Sequence, residues 1–198
     1  MDSKTLKRID DLIEKSFQFW YDLRAKYGLG EHPISVTFYP FTYIAELSED
    51  MANSLCKGNS RCRTILSAHY DEDDNIIKSI DCGVYWSYED LYRLLIECEL
   101  DYYRAFESVK FTLRHEMGHI LDYKNRFIGK NIEEWINHSS GCEQAETLIP
   151  KLRKNASYMK RMRWYLMFNS LPCERQANEL VGITEQDIID DFKRTHRK

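Results

Sequence analysis

The 198-residue sequence contains no apolar run approaching the ~20 residues that a membrane-spanning helix needs. Its N-terminus interleaves charged and apolar residues, so it also lacks the uninterrupted apolar core of a signal peptide. None of its six cysteines forms a C-x-x-C pair. These absences argue against membrane insertion, export and a disulfide framework, and they predict a cytoplasmic protein whose cysteines stay reduced.

An excess of charge of one sign is also missing. The 28 basic and 32 acidic residues leave a formal net charge of -4, which provides no global attraction to nucleic acids or membranes. With 43% hydrophobic residues, a chain of this length can bury its own core, and we expect a single domain over residues 1–198. Partners must therefore be inferred from individual sites.

The hydrophobic pattern divides the chain into a mixed first part and a helical second part. Apolar residues at helical spacing, followed by Gly28, predict a helix over residues 4–27. Stretches rich in β-branched and aromatic residues then predict three strands, at residues 34–41, 63–70 and 75–86. From residue 88 onward the spacing is helical, with a break near residues 100–107. The prediction is an α+β fold in which an N-terminal helix and a small three-stranded sheet precede a helical half.

The end of the chain is predicted to contain shorter helices, over residues 131–138, 141–155, 156–169 and 171–182. Pro172 near the start and Gly182 at the end are typical boundary residues for the last of these. Thr184 and Asp187 have the spacing of a capping box, which predicts that a final helix begins there.

The stretch TLRHEMGHILDY, residues 112–123, carries an H-E-x-x-H pattern on one of the predicted helices. Residues four apart lie on the same helical face, so His115 and His119 can direct their rings at one point. Glu116 projects about 100° away from His115. It therefore lies outside the ligand pair but near an attacking water, where a general base is needed. The apolar stripe lies on the opposite side of the helix, which favours a metal site over two core histidines.

A catalytic zinc site requires a third protein ligand. An extended pattern with a third histidine is excluded, because Asp122 and Asn125 occupy the positions where it requires Gly and His. The remaining downstream candidates are His138, Glu143, Glu146 and Glu174. Glu174 is favoured because it shares a helical face with Ala177, whose small side chain would let the two helices approach closely. His138 remains the main alternative.

The segment HEMGH followed downstream by ERQAN resembles the H-E-x-x-H and E-x-x-A-N motifs of the ImmA/IrrE-like metallopeptidases, which are small gluzincins. The resemblance covers these two motifs and the order of elements. It implies an intracellular protein in which His115, His119 and Glu174 bind one Zn2+ per chain and Glu116 is the general base. Residues 120–173 separate the motifs here, a longer interval than is usual in that family, so we expect an inserted helical segment beside the cleft.

These residues predict a hydrolase, a zinc-dependent metallopeptidase that cleaves an intracellular protein or peptide. Zinc would polarise the scissile carbonyl, and Glu116 would transfer the proton of the attacking water to the leaving amine. A sheet edge would hold the substrate in extended form. One alternative is a zinc-containing binding or regulatory module without turnover.

A second alternative is a nucleic-acid-associated factor that uses a basic segment, whose cations are Lys151, Arg153, Lys154, Lys160, Arg161 and Arg163. A solvated helix face with its aromatic residues turned to the core is the simpler interpretation, because the whole chain is acidic. Two further side chains are candidates for supporting roles at the site. Asp122 is expected to be an exposed acid or to orient a ligand histidine, and Tyr165 is a candidate donor to a developing oxyanion.

Overall fold

The computed structural model describes residues 3–30, 32–39, 62–150 and 156–196. In chain order the elements are helix α1 (Ser3–Lys26), strands β1 (Ile34–Tyr39), β2 (Cys62–Tyr70) and β3 (Ile77–Ser87), and helices α2 (Tyr88–Glu97), α3 (Tyr102–Phe127), α4 (Ile132–Thr147), α5 (Tyr158–Asn169), α6 (Pro172–Leu180) and α7 (Glu185–Thr195). This order confirms the predicted α+β class, with a helix and a small sheet ahead of a helical half.

Helix α1 packs its apolar stripe into the core against β1 and α3. Ile9, Leu12 and Trp20 are buried in the core, and the Phe17 ring meets the Phe38 ring of β1 edge-on at 5.2 Å between centroids. The chain leaves the helix through Gly28, whose φ of 65 lies in the left-handed region that glycine adopts without strain. The predicted glycine stop is therefore confirmed.

The three strands form one sheet in the order β1-β3-β2. Strand β1 is parallel to β3, and β2 is antiparallel to β3. The central strand β3 is the most buried, with Val84 and Trp86 fully enclosed. The three predicted strands are confirmed to within two residues at the ends described, while residues 40–41 of the first lie outside the described residues. Strand β2 is consequently an outer strand of the sheet.

The break between α2 and α3 falls at the start of the predicted interval. Glu99 and Leu100 have positive φ values of 61 and 60. This left-handed backbone conformation interrupts the helical path between α2 and α3. Asp101 then caps α3 by accepting hydrogen bonds from the backbone of Tyr103 and Arg104. Helix α3 is 26 residues long and carries the H-E-x-x-H pattern through the centre of the protein.

Helix α4 differs from the prediction. Residues 131–138 and 141–155 were expected to form two helices, but one helix runs from Ile132 through Gly141 to Thr147. An exposed glycine costs a helix only about 1 kcal/mol relative to alanine, which does not by itself end the helix. The end comes shortly before Pro150, because a proline disfavours helical conformation in the residue that precedes it. Residues 151–155 lie outside the described residues.

The last two helices confirm their predicted boundaries. Helix α6 begins at Pro172, and Gly182 beyond its end has a φ of 68. Thr184 and Asp187 form a complete capping box at the start of α7. Among the described residues, no helix has the length and apolar character needed to cross a bilayer. Within the described ranges no disulfide joins the cysteines, which are Cys62, Cys82, Cys98, Cys142 and Cys173.

Candidate metal centre

The two histidines of the motif lie one helical turn apart on the side of α3 that faces α6. Their rings are perpendicular, with centroids 4.7 Å apart. The Nε2 atoms of His115 and His119 are 3.1 Å apart. Both rings therefore direct the same nitrogen toward one point, as their four-residue spacing predicts.

Glu174, in the first turn of α6, adds a carboxylate oxygen to this pair. Its Oε2 atom lies 2.8 Å from Nε2 of His115 and 3.6 Å from Nε2 of His119. Ligands of a tetrahedral zinc ion with bonds of about 2.0–2.1 Å are separated by about 3.3 Å. The three separations in the protein bracket that value, and the donor set of two imidazoles and one carboxylate suits zinc. The three residues could hold a metal ion.

Charge interactions tie the same three side chains together. Burial lowers the pKa of His115, but the hydrogen bond and negative charge of Glu174 outweigh it and raise the pKa to about 9. Burial raises the pKa of Glu174, yet the hydrogen bonds from His115 and His119 hold this pKa well below its ordinary value. The negative charge of Glu174 and the two imidazole rings therefore stabilise one another at this point. A metal ion that binds here would take the place of any proton on the ligand nitrogens.

Asn178 orients the first histidine. Its Oδ1 atom accepts a hydrogen bond from Nδ1 of His115 at 2.8 Å, and its own Nδ2 donates to Oδ1 of Asn169 at 3.3 Å. Because the amide is oriented by this second bond, His115 must carry its proton on Nδ1 and keep Nε2 for a ligand. The sequence analysis assigned no role to Asn178 or Asn169, because their contacts with the site depend on how α5, α6 and α3 pack together.

Helices α3 and α6 touch at Gly118. A Cβ atom at this position would lie 2.1 Å from the carbonyl oxygen of Ala177, a distance that real atoms do not adopt. The close approach predicted from the small Ala177 is therefore confirmed, but its other half, the glycine within HEMGH, was missed. A glycine inside a helix that carries a metal motif is the signal that indicates this contact.

We expect Gly118→Ala to weaken metal binding at least tenfold and to lower the free energy of unfolding by about 1–3 kcal/mol, because α6 must move away from α3 and carry Glu174 with it. Competition titration with a zinc chelator and urea unfolding measure the two effects. Gly141→Ala is the matched control, since a Cβ atom there meets nothing within 4 Å. It should leave zinc affinity unchanged and stabilise α4 slightly. A Gly118→Ala protein with normal zinc affinity contradicts this account of the helix contact.

Glu116 is buried at 9% exposure and points from α3 toward the sheet. Its Oε2 atom accepts a hydrogen bond of 2.5 Å from the hydroxyl of Thr64 on β2. Glu116 is not a member of the group of three donor side chains, which agrees with its predicted position outside the ligand set. Thr64 was not anticipated from the sequence, because only the folded sheet brings residues 52 positions apart into contact.

The alternative ligand, His138 on α4, occupies a separate position. Its Nε2 atom lies 3.7 Å from Oδ2 of Asp122 and 3.7 Å from Sγ of Cys142, and its ring packs against Tyr123 and Phe127. The group of three donor atoms does not include it. The other two candidates, Glu143 and Glu146, are exposed on α4. Of the four downstream candidates, the structure brings only Glu174 to the two motif histidines.

One other expectation is wrong, and one is not tested. Asp122 is buried at 6% exposure, not an exposed acid. Its carboxylate accepts a hydrogen bond from Arg126 at 2.8 Å and approaches His138, which is not a motif histidine. Tyr165 donates its hydroxyl to Asp191 on α7 at 2.9 Å and packs against Phe192. These contacts fix Tyr165 between α5 and α7, and its role as an oxyanion donor stays a prediction.

The basic segment is only partly described. Lys151, Arg153 and Lys154 lie outside the described residues, whereas Lys160, Arg161 and Arg163 lie on α5. The same helix turns Tyr158 and Tyr165 toward Phe192 of α7. This arrangement agrees with the simpler interpretation of a helix with its tyrosines turned inward.

No family model, curated protein or solved structure matches the chain. The role of the cluster must therefore be argued from its own geometry and chemistry. Those features are three donor atoms within 4.8 Å of one another, a separate buried glutamate, and an asparagine that fixes one ring.

Proposed function

We propose that this protein is a zinc-dependent metallopeptidase of the gluzincin type, which hydrolyses peptide bonds of an intracellular protein. His115, His119 and Glu174 would hold one zinc ion. The observation that carries the proposal is the convergence of their three donor atoms, at separations of 2.8, 3.1 and 3.6 Å, beside a buried glutamate that is not among them. Three protein ligands of the His, His, Glu type are characteristic of catalytic zinc sites.

Each residue has a distinct task in this reaction. A bound zinc ion supplies Lewis acidity, which polarises a carbonyl and lowers the pKa of water. Glu116 takes the proton of the attacking water and delivers it to the leaving amine. Burial and the Thr64 hydroxyl keep its carboxylate in place. Asn178 keeps Nε2 of His115 available as a ligand.

The substrate would bind along β2. Among the described residues this strand pairs with β3 on one side only, and Thr64 brings it within hydrogen-bonding distance of Glu116. An extended peptide can add to such an edge through backbone hydrogen bonds. The scissile bond of a peptide held there would lie close to the base and the metal ligands.

A structural zinc site in a non-catalytic module is less well supported. Structural sites are closed by four protein ligands, whereas the donor group contains three within the part of the chain that the structure describes. A structural site also needs no base, whereas the Glu116 carboxylate lies beside the donor group without belonging to it and is held there by Thr64. A base beside a three-ligand site explains both features.

Purified protein should contain about one zinc ion per chain, because the one donor set of two imidazoles and a carboxylate matches zinc. Elemental analysis after purification without chelator measures this content. Mass spectrometry of a peptide library incubated with the protein should reveal cleavage that a chelator stops and added zinc restores. A metal-free protein, or cleavage that is insensitive to the chelator, contradicts the proposed function.

A further inference from the structure

Strand β2 carries one polar side chain on the face that it turns toward α3. Side chains alternate along a strand, so Cys62, Thr64, Leu66 and Ala68 share this face. Cys62 belongs to the buried core, and Leu66 and Ala68 pack against it. Valine has nearly the shape of threonine and would suit such a face. Thr64 is half-buried on this face, and its hydroxyl is the polar group that the face presents to α3.

The Thr64 hydroxyl forms a hydrogen bond with the Glu116 carboxylate. It donates to Oε2 of Glu116 at 2.5 Å, the short separation of a bond between a hydroxyl and a charged carboxylate. Threonine is stiff at χ1 because it is β-branched, so the strand backbone determines where the hydroxyl lies. Thr64 thereby holds the Oε2 atom of Glu116 from the sheet, and no side chain of the described ranges bonds the Oε1 atom, which can exchange a proton.

We propose that Thr64 is a positioning residue for the Glu116 carboxylate and that β2 thereby sets the orientation of the general base. This inference rests on the proposed function, in which Glu116 transfers the proton. Thr64 acts through Glu116 and does not touch the reacting atoms. The strand that would pair with an extended substrate is the same strand that holds the base. Thr64 therefore couples peptide binding along β2 to the orientation of the Glu116 carboxylate.

A double-mutant cycle tests the contact without any measurement of activity. Thr64→Val, Glu116→Ala and the double variant are unfolded in urea alongside the wild-type chain, all at the same zinc loading. We expect a coupling of at least about fivefold in the unfolding equilibrium constant. The matched control pairs Glu116→Ala with Thr37→Val, the same substitution on β1 at the opposite edge of the sheet. That cycle should show no coupling.

Kinetics test the positioning role. Thr64→Val should lower kcat on a cleaved library peptide by about 10- to 100-fold, because a displaced base reacts poorly. KM and zinc content should stay at their wild-type values. Thr64→Ser keeps the hydroxyl and should restore most of kcat, whereas a residue that only fills space would not be rescued in this way.

Each result decides between the two proposals. Absent coupling, an unchanged kcat in Thr64→Val, or a change confined to KM overturns the role of Thr64 and leaves the proposed function standing. A wild-type chain that binds no zinc and cleaves no peptide overturns the proposed function, and the positioning role falls with it. Coupling together with a loss of kcat that serine rescues supports both.

Discussion

Glu116→Gln should keep about one zinc ion per chain and lower kcat by about 10²- to 10⁴-fold, the usual contribution of a general base. Zinc should stay because Glu116 is not among the three donor side chains. Glutamine has nearly the same shape, and its amide oxygen can still accept the hydrogen bond from Thr64. The side chain cannot, however, take a proton from water. Elemental analysis and peptide cleavage on the same preparation measure both quantities.

The matched control is Glu179→Gln on α6, where the side chain is 63% exposed. The Glu179→Gln substitution also removes one negative charge, but from the protein surface. It should leave both zinc content and kcat unchanged. If Glu116→Gln retains full activity, the proton is taken by another group and the proposed mechanism is wrong. If Glu116→Gln loses its zinc, Glu116 has a role in metal binding that the geometry does not give it.

The fold was largely predictable because its signals are local. The spacing of apolar residues before Gly28 and the β-branched runs near Ile34 and Ile77 depend on neighbouring residues alone. Helix α4 was predicted as two helices separated between residues 138 and 141, but the exposed Gly141 lies inside one continuous helix. The energetic cost of one exposed glycine is too small to end the helix, and the turn before Pro150 marks the actual end.

The site was predictable to the extent that one helix determines it. His115 and His119 are placed by backbone geometry, whereas Glu174 had to be inferred from a second helix and from the need for a third ligand. Thr64 was beyond sequence reasoning, because its contact with Glu116 depends on how the sheet packs against α3.

Gly118 could have been recognised, since a glycine at the centre of a helix is expensive unless another backbone lies against it. Asp122 shows the opposite error. Its charge suggested exposure, but Arg126 one turn later supplies the partner that allows its burial.

Removing the carboxylate at position 174 should lower zinc affinity by more than about 100-fold, which exceeds the usual cost of losing a residue that only supports a ligand. Both Glu174→Ala and Glu174→Gln should show it. Alanine deletes the donor, and glutamine keeps the volume but loses the negative charge that balances the metal. The remaining atoms, Nε2 of His115 and of His119, form an incomplete site. Competition with a chromophoric chelator measures the affinity, and far-ultraviolet circular dichroism checks the fold.

His138→Ala is the discriminating comparison, because His138 is the other downstream residue that could have completed the site. Its ring is packed against Tyr123 and Phe127, and its Nε2 faces Asp122 and Cys142. Its removal should therefore lower stability while zinc affinity stays within about twofold of wild type, since no donor atom is lost. Zinc loss in His138→Ala together with normal affinity in Glu174→Ala would reverse the ligand assignment. The ERQAN segment would then contribute no ligand to the site, and the proposal of a gluzincin would be wrong.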